Sequence, residues 1–179
     1  MSLDVQMDEV PESELGAVDY RWDGETEILC VTLRSTGVSE GVTGSIDIEG
    51  TDGAWLTLEL SAGRLAAIEV AAWPDVRTVD PLEPPVPVGS ARLRVPSRLG
   101  GAAGAAAEVA VEVAVEALEV NTLIRAVADR AERTIHFRIG SQRSSRTIRV
   151  AHDVMIAVDS RSRIAGLWLL NVPPFPTTP

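Results

Sequence analysis

Cys30 and His136 are the residues in this chain best suited to nucleophilic chemistry. A cysteine thiolate is a strong nucleophile, and a histidine within hydrogen-bond distance can take its proton. Both residues lie at the same position of two similar alternating segments, so a pseudo-two-fold arrangement could bring them together. A working pair also needs a third group that orients the histidine, and none is evident. The pair is a catalytic candidate, and the alternative that we favour is two unrelated strand residues.

Four arginines suggest an electrostatic role. Residues 134–150 are predicted to form one hairpin that carries Arg138, Arg143, Arg146 and Arg149. A basic β-ribbon can track the phosphates of a nucleic acid or enter a groove, so these arginines are candidates for ligand or nucleic-acid binding. The chain has a net charge of −10, however, and no aromatic platform accompanies the arginines. Nucleic acid is therefore not an expected partner, and the alternative is that the hairpin faces an acidic surface within the chain or in a partner.

Metal and cofactor sites have little support in the sequence. One cysteine and two histidines exclude an internal disulfide and a multi-cysteine metal site. Acidic residues surround one predicted hairpin, at Asp47, Glu49, Asp52 and Glu59, but their spacing does not match a calcium-binding loop. Phosphate-binding loops, dinucleotide fingerprints and the serine-hydrolase motif are also missing from the sequence. We expect no metal and no cofactor, and we favour a protein without enzymatic activity.

The candidate residues lie in two similar sets of four alternating segments. The first segments, 29–33 and 135–139, alternate apolar and polar residues as half-buried β-strands do. The later segments correspond in order, 46–48, 58–60 and 64–70 in the first set to 148–150, 156–158 and 163–169 in the second. Turn residues separate them, such as Asp52-Gly53 and Ala62-Gly63. The pattern predicts two copies of one four-stranded meander.

One such sheet would leave its apolar face in water, which two copies avoid by packing their faces together. We therefore predict an all-β, mainly antiparallel fold. Two pseudo-two-fold related four-stranded meanders would form a sandwich or barrel-like core, with at most one or two short helices. The alternative is that the copies pair through edge strands into one longer sheet.

Domain organisation follows from the two copies. The first β repeat covers 1–79 and the second 108–179, and 80–107 is a connector that is Pro-rich and then Gly/Ala-rich. The connector has a candidate strand at 90–95. Residues 108–119 fit a helix by their glutamate spacing and a strand by their valine spacing, and we favour a strand. Short helices are candidates at 121–130 and after Pro11.

The repeated pattern resembles a bacterial family of uncharacterised proteins, domain of unknown function 2283. The second copy has an Asp before an alternating strand, at Asp129, then Val158-Asp159 at a strand end and Ile164-Ala165-Gly166-Leu167 after a turn. The first copy departs from the pattern at Ser61, where the strand-end Asp would lie, and at Ala67, where the Gly would lie. The resemblance implies a bacterial β protein. It brings no known catalytic residues.

Three residues are candidates for an interface. If their alternate neighbours point into the core, Met155, Trp168 and Leu170 point away from it. Outward aromatic residues that cluster mark either a covering element or a subunit contact. Residues 108–119 or the Pro-rich tail could be that covering element. We expect a homodimer in which Trp168 and Leu170 are buried at the subunit contact.

Three functions remain open at this point. The first is an interaction or structural role in a bacterial cytoplasmic protein, as a homodimer or with another protein partner; the lone cysteine is typical of a reducing compartment. The second is a small-ligand binder or hydrolase with its site between the repeats, near Cys30 and His136. The third is nucleic-acid binding by the Arg-rich hairpin. No apolar stretch is long enough to span a bilayer, so no membrane partner is expected.

Overall fold

The computed structural model describes residues 5–34, 43–94, 118–141 and 144–176, without the side chains of residues 118 and 119. Across these residues the chain is all-β, with a 3₁₀ helix at Glu12–Glu14. The strands in chain order are β1 (Gln6–Glu9), β2 (Val18–Trp22), β3 (Leu29–Leu33), β4 (Gly44–Gly50), β5 (Trp55–Ser61), β6 (Arg64–Ala72), β7 (Val76–Thr78), β8 (Ala91–Arg94), β9 (Leu118–Thr122), β10 (Ile124–Ala128), β11 (Ile135–Ile139), β12 (Ser145–Ala151), β13 (Val154–Asp159) and β14 (Ile164–Leu169). The predicted all-β class is confirmed. In the described part of the chain, no helix has the length and apolar character needed to cross a membrane.

Two mixed sheets contain these strands. The larger has eight strands in the order β1-β8-β6-β5-β4-β9, and β3 joins it on β6 with β2 beside β3. The smaller has six strands in the order β12-β13-β14-β11-β10-β7. The ladders of β4 with β9 and of β10 with β7 are parallel. Because β7 follows the first set of strands but extends the smaller sheet, and β9 precedes the second set but extends the larger one, the two sheets are tied together.

The predicted meander order is wrong. In each sheet the first strand of the unit lies beside the last strand, since β3 pairs with β6 and β11 pairs with β14. The predicted hairpins β4–β5 and β5–β6 do form, with the turn residues Asp52-Gly53 and Ala62-Gly63 between their strands, and β12–β13 and β13–β14 form in the second copy. No such turn signal joins the first strand to the second. Sequence adjacency therefore could not predict the partner of the first strand.

Some of the predictions for the segments around the two repeats agree with the structure and others do not. The strand expected at 90–95 is present as β8, and the stretch after Pro11 forms the short 3₁₀ helix. A helix at 121–130 is wrong, because β9 and β10 occupy this stretch. Ile124, Ala126 and Ala128 are buried in alternation, which is a strand pattern. Of the expected strand at 108–119, residues 108–117 lie outside the described residues, and β9 begins at Leu118.

Residues from both sheets form one apolar core. Leu29 and Ile68 from the larger sheet and Phe137, Ile156 and Leu167 from the smaller are at most 2% exposed and belong to one cluster. Burying a side chain of this size stabilises a fold by roughly 1.5–3 kcal/mol. The core therefore uses one face of each sheet, and the alternate residues of the same strands lie on the two outer faces.

Candidate anion-binding site

The structure does not bring Cys30 and His136 together. They lie in different sheets, and each alternates with core residues, so their side chains are on opposite outer faces. Cys30 Sγ is 3.8 Å from Glu69 Oε2, and burial together with this carboxylate raises the pKa of Cys30. The imidazole of His136 is stacked on the indole of Trp168, with ring centroids 4.1 Å apart. A thiol held protonated and a distant imidazole do not form a catalytic pair.

The residues predicted for a subunit interface are shielded within the single chain. Met155 is 1% and Trp168 7% exposed, and Leu170 is half-buried. Neither Met155 nor Trp168 belongs to the shared core cluster, in agreement with their predicted direction. Their burial favours the covering-element alternative over a subunit contact. The tail residue Phe175 makes its ring contact with Trp22, and residues 108–117 lie outside the described residues.

The predicted arginine hairpin is wrong. β11, which carries Arg138, pairs with β10 and β14, whereas β12, which carries Arg146 and Arg149, pairs with β13. Two strands therefore separate Arg138 from the other two arginines, and Arg143 lies outside the described residues. Arg149 Nε is 3.6 Å from Glu12 Oε1. The basic ribbon does not form because its two strands are not neighbours.

A cavity of about 30 Å³ lies where the two sheets meet. Its lining comes from both sheets and from the segment before β2, and consists of Glu14, Leu15, Gly16, Leu33, Arg34, Arg64, Leu65, Arg92, Leu93, Val150 and Ala151. Since roughly 10–15 Å³ of such space holds one water molecule, the cavity can take the head group of a small ligand. A site between the repeats was one of the predicted locations, but neither Cys30 nor His136 lines it.

Arg64 begins β6, directly after a two-residue turn. Ser61 and Arg64 face each other across this turn, and Ala62 and Gly63 have positive φ angles of 50° and 76°. The Nε and Nη1 atoms of Arg64 are shielded from solvent and have no hydrogen-bond partner among the residues described. A buried donor without an acceptor costs roughly 1–3 kcal/mol, so native structures rarely keep one. An acceptor supplied by a ligand would remove this cost.

Two other arginines of the lining have carboxylate partners. Arg92 Nη2 is 3.1 Å from Glu14 Oε2, and Arg34 Nη2 is 3.2 Å from Asp19 Oδ2. The lining nevertheless holds three arginines against one glutamate. Arg64 therefore lines a positively charged cavity, whose field attracts anions.

The corresponding turn of the smaller sheet contains an arginine whose donors are satisfied. Asp159 ends β13 where Ser61 ends β5, and Arg163 precedes β14 much as Arg64 begins β6. Asp159 Oδ2 is 2.8 Å from Arg163 Nε and 2.7 Å from Arg163 Nη2. Burial opposes the ionisation of Asp159, but hydrogen bonds from Arg163 and from the backbone N–H of Arg161 outweigh it and lower the pKa of Asp159 to about 2. The larger sheet has Ser61 in place of this carboxylate.

Gly16 fixes one wall of the cavity. A Cβ atom at this position would lie 1.6 Å from the carbonyl oxygen of Arg34, so a side chain would force the two backbones apart. The N–H of His152 donates to the carbonyl oxygen of Gly16 at 3.2 Å, and the N–H of Arg34 donates to that of Ala17 at 2.9 Å. This segment therefore links the end of β3 to the turn after β12 and forms part of the cavity wall.

No alternating pattern or motif singles out Arg64 in the sequence. The available signal was Ser61, which replaces the strand-end Asp of the second copy and so removes the carboxylate that Arg163 keeps. No protein-family model matches the chain, and no curated protein matches it. The resemblance to domain of unknown function 2283 therefore stays a prediction.

Proposed function

We propose that this chain is a binding protein for carboxylate ligands, with Arg64 as the residue that recognises the carboxylate. The observation that carries the proposal is the pair of buried donors, Nε and Nη1 of Arg64, without an acceptor among the described residues. The two N–H groups point to different edges of the guanidinium, and each can donate a charge-assisted hydrogen bond to one carboxylate oxygen. A carboxylate bound beside Arg64 would supply a missing acceptor.

The turn of Asp159 and Arg163 supports a carboxylate over a phosphate. An arginine at the corresponding position is already satisfied there by a carboxylate, with two contacts shorter than 3 Å. The apolar side chains of Leu33, Leu65 and Leu93 complete the lining and favour an aliphatic carbon next to the carboxylate.

Thermal denaturation in sodium acetate or sodium succinate, against sodium chloride at equal ionic strength, tests the proposal. A ligand that binds only the folded chain adds about 2.7 kcal/mol to the free energy of unfolding at 100 times its Kd. We expect both carboxylates to raise the Tm of the wild-type chain and not that of Arg64→Met. Arg94→Met is the matched control, because Arg94 faces Arg64 across β6 and β8 but does not line the cavity.

Equal responses of the wild-type chain and of Arg64→Met would contradict the proposal. A response to sodium phosphate and sodium sulfate alone would contradict the carboxylate assignment, because it would move the ligand class to tetrahedral anions. Loss of the response in Arg94→Met as well would mean that general positive charge, and not the guanidinium of Arg64, attracts the ligand.

We further propose that the two sheets descend from a tandem duplication in a bacterial cytoplasmic protein. The strand orders β2-β3-β6-β5-β4 and β10-β11-β14-β13-β12 support this. The turns before β3 and β11 also agree, since Asp23 and Asp129 each accept backbone N–H groups there. Relatives in which the two halves are more alike are expected, and a set of relatives without internal similarity would contradict the duplication. The homodimer stays a prediction, which a monomer in light scattering at micromolar concentration would contradict.

A further inference from the structure

An aromatic groove beside the edge strand β2 holds the C-terminal segment 173–176. The rings of Trp22 and Trp73 are stacked, with centroids 5.6 Å apart. Phe175 meets Trp22 edge-on at 5.1 Å, and the indole Nε1 of Trp22 donates to the carbonyl oxygen of Pro173 at 2.9 Å. Trp22, Trp73 and Phe175 are only half-buried, so this contact lies at the surface of the molecule.

The chemistry of this contact is that of proline-rich peptide recognition. Pro173, Pro174 and Pro176 have no backbone N–H, so the segment is a poor partner for a β-ladder and offers mainly carbonyl acceptors. An indole donor and flat aromatic faces supply what such an extended segment can bind. None of these contacts depends on the covalent link between the segment and β14.

The chain contains a second segment with the same spacing. Pro84-Pro85-Val86-Pro87 has Val86 where Pro173-Pro174-Phe175-Pro176 has Phe175. Val86 is 89% exposed, whereas Phe175 is seated against Trp22. The segment in the groove is thus the one with an aromatic ring between its prolines, which is the ring that Trp22 contacts.

We propose that this groove is a docking site for a partner protein's proline-rich peptide with a Pro-Pro-aromatic-Pro core, and that the chain's own tail is an intramolecular competitor. This proposal is independent of the carboxylate site. A tethered ligand acts at an effective concentration in the millimolar range, so the tail hides the groove from a free peptide of similar intrinsic affinity. Weakening the tail should therefore increase the affinity for the free peptide.

Fluorescence polarisation with a labelled synthetic peptide of residues 170–176, LNVPPFP, tests the proposal on the full chain. We expect Phe175→Ala to bind the peptide about tenfold more tightly than the wild-type chain does, because the tail loses its ring contact with Trp22. Adding Trp22→Phe keeps a ring but removes the indole donor, and should weaken peptide binding about tenfold. Phe175→Leu is the milder second variant should Phe175→Ala not fold, and thermal melts verify folding in each case.

Failure of every folded tail variant to bind the peptide would overturn the proposal and leave the tail a purely structural strap. Equal binding of a peptide of residues 82–88, LEPPVPV, would also overturn it. In that case the groove would not select an aromatic ring, and a second copy of this chain would be the better candidate for its occupant.

Discussion

The turn from Ser61 to Arg64 and the turn from Asp159 to Arg163 occupy corresponding places in the two sheets, but only the second contains a carboxylate that pairs with its arginine. We call the first the open turn and the second the closed turn. In the smaller sheet the arginine is held by a carboxylate of its own chain. In the larger sheet the arginine keeps two buried donors that have no partner among the described residues. The internal ion pair contributes to the stability of the second copy, whereas Nε and Nη1 of Arg64 have no such partner among the described residues. This difference is the basis for proposing the binding role in the first copy.

The outer faces of the two sheets differ in the same sense. One row crosses each sheet at matching strands: Cys30, Glu69, Thr57 and Asp47 in the larger sheet, and His136, Trp168, Met155 and Arg149 in the smaller. The first row is polar and partly exposed, and includes a hydrogen bond of 2.8 Å from the Thr57 hydroxyl to Asp47. The second row has two apolar residues at its centre, Trp168 and Met155, and both are shielded from solvent. The core faces of the two copies agree, and the outer residues have diverged.

Opening the closed turn is the most disruptive way to test this comparison. Asp159→Ser would leave Arg163 and the backbone N–H groups of Arg161 and Arg163 without the acceptor that they now share. We expect a Tm lower by about 8 °C, measured by circular dichroism. Acetate should restore part of the loss, since it can replace the missing carboxylate. Ser61→Ala is the control and should change the Tm by no more than about 2 °C.

The comparison would fail if Asp159→Ser and Ser61→Ala shifted the Tm equally. The comparison would also lose support if acetate, at equal ionic strength, raised the Tm of Asp159→Ser no more than that of the wild-type chain. Arg163 would then not be the group that binds acetate.

Acid should lower the free energy of unfolding through His136, which lies in the outer row of the smaller sheet. Burial, with a smaller effect of the Arg138 charge, lowers the pKa of His136 to about 4, from 6.5. Between these values the unfolded chain binds more protons than the folded chain, so the free energy of unfolding falls as the pH is lowered from 6.5 towards 4. Allowing for the partial exposure of the ring, we expect a loss of about 2 kcal/mol from this residue. Above pH 6.5 His136 should make no pH-dependent contribution.

Urea denaturation at pH 7 and at pH 4.5 measures this loss. His136→Phe keeps a flat ring for stacking on Trp168 but cannot take up a proton. The variant should lose less stability than the wild-type chain between the two pH values, while the carboxylates contribute equally to both. The same pH dependence in both chains would show that His136 is not the group responsible.

Closing the open turn is the reverse experiment. Ser61→Asp places a carboxylate opposite Arg64, as Asp159 is placed near Arg163. We expect the free energy of unfolding to rise by about 1 kcal/mol, because the buried donors gain an acceptor, and the response to acetate to disappear. Calorimetric titration with succinate measures the second effect. If the Ser61→Asp chain bound succinate with unchanged affinity, Arg64 would not be the residue that binds the ligand.

The strands and their buried residues could be predicted from the sequence because they depend on local alternation. Leu29, Ile68 and Phe137 lie in the core as their patterns indicate. The pairing of β3 with β6 could not be predicted, since strand partners are chosen by nonlocal packing and no turn signal joins β3 to β4. The same error produced the arginine hairpin.

The candidate binding site could be recognised in the sequence only by a difference between the two copies, because no motif marks it. The sequence shows that Ser61 departs from the repeat. It does not show that the arginine three residues later has buried donors, and without this fact the importance of Ser61 could not be predicted. The pair of Cys30 and His136 failed for the opposite reason. Their matching positions in the two copies place them on opposite outer faces, because both sheets turn the same alternate residues into one core.

The smallest expected effect comes from glycine substitutions, which change the backbone conformation of a turn without changing its charge. Ala62 has a positive φ of 50°, which glycine adopts without strain, so Ala62→Gly should raise the free energy of unfolding by about 0.5 kcal/mol. Ser162, with a φ of 58° in the closed turn, offers the matched variant Ser162→Gly with a similar gain. Chemical denaturation measures both. Because neither change touches a guanidinium or a carboxylate, succinate binding should stay as in the wild-type chain. An altered affinity in Ala62→Gly alone would mean that the backbone of the first turn, and not the missing carboxylate, sets the difference between the two copies.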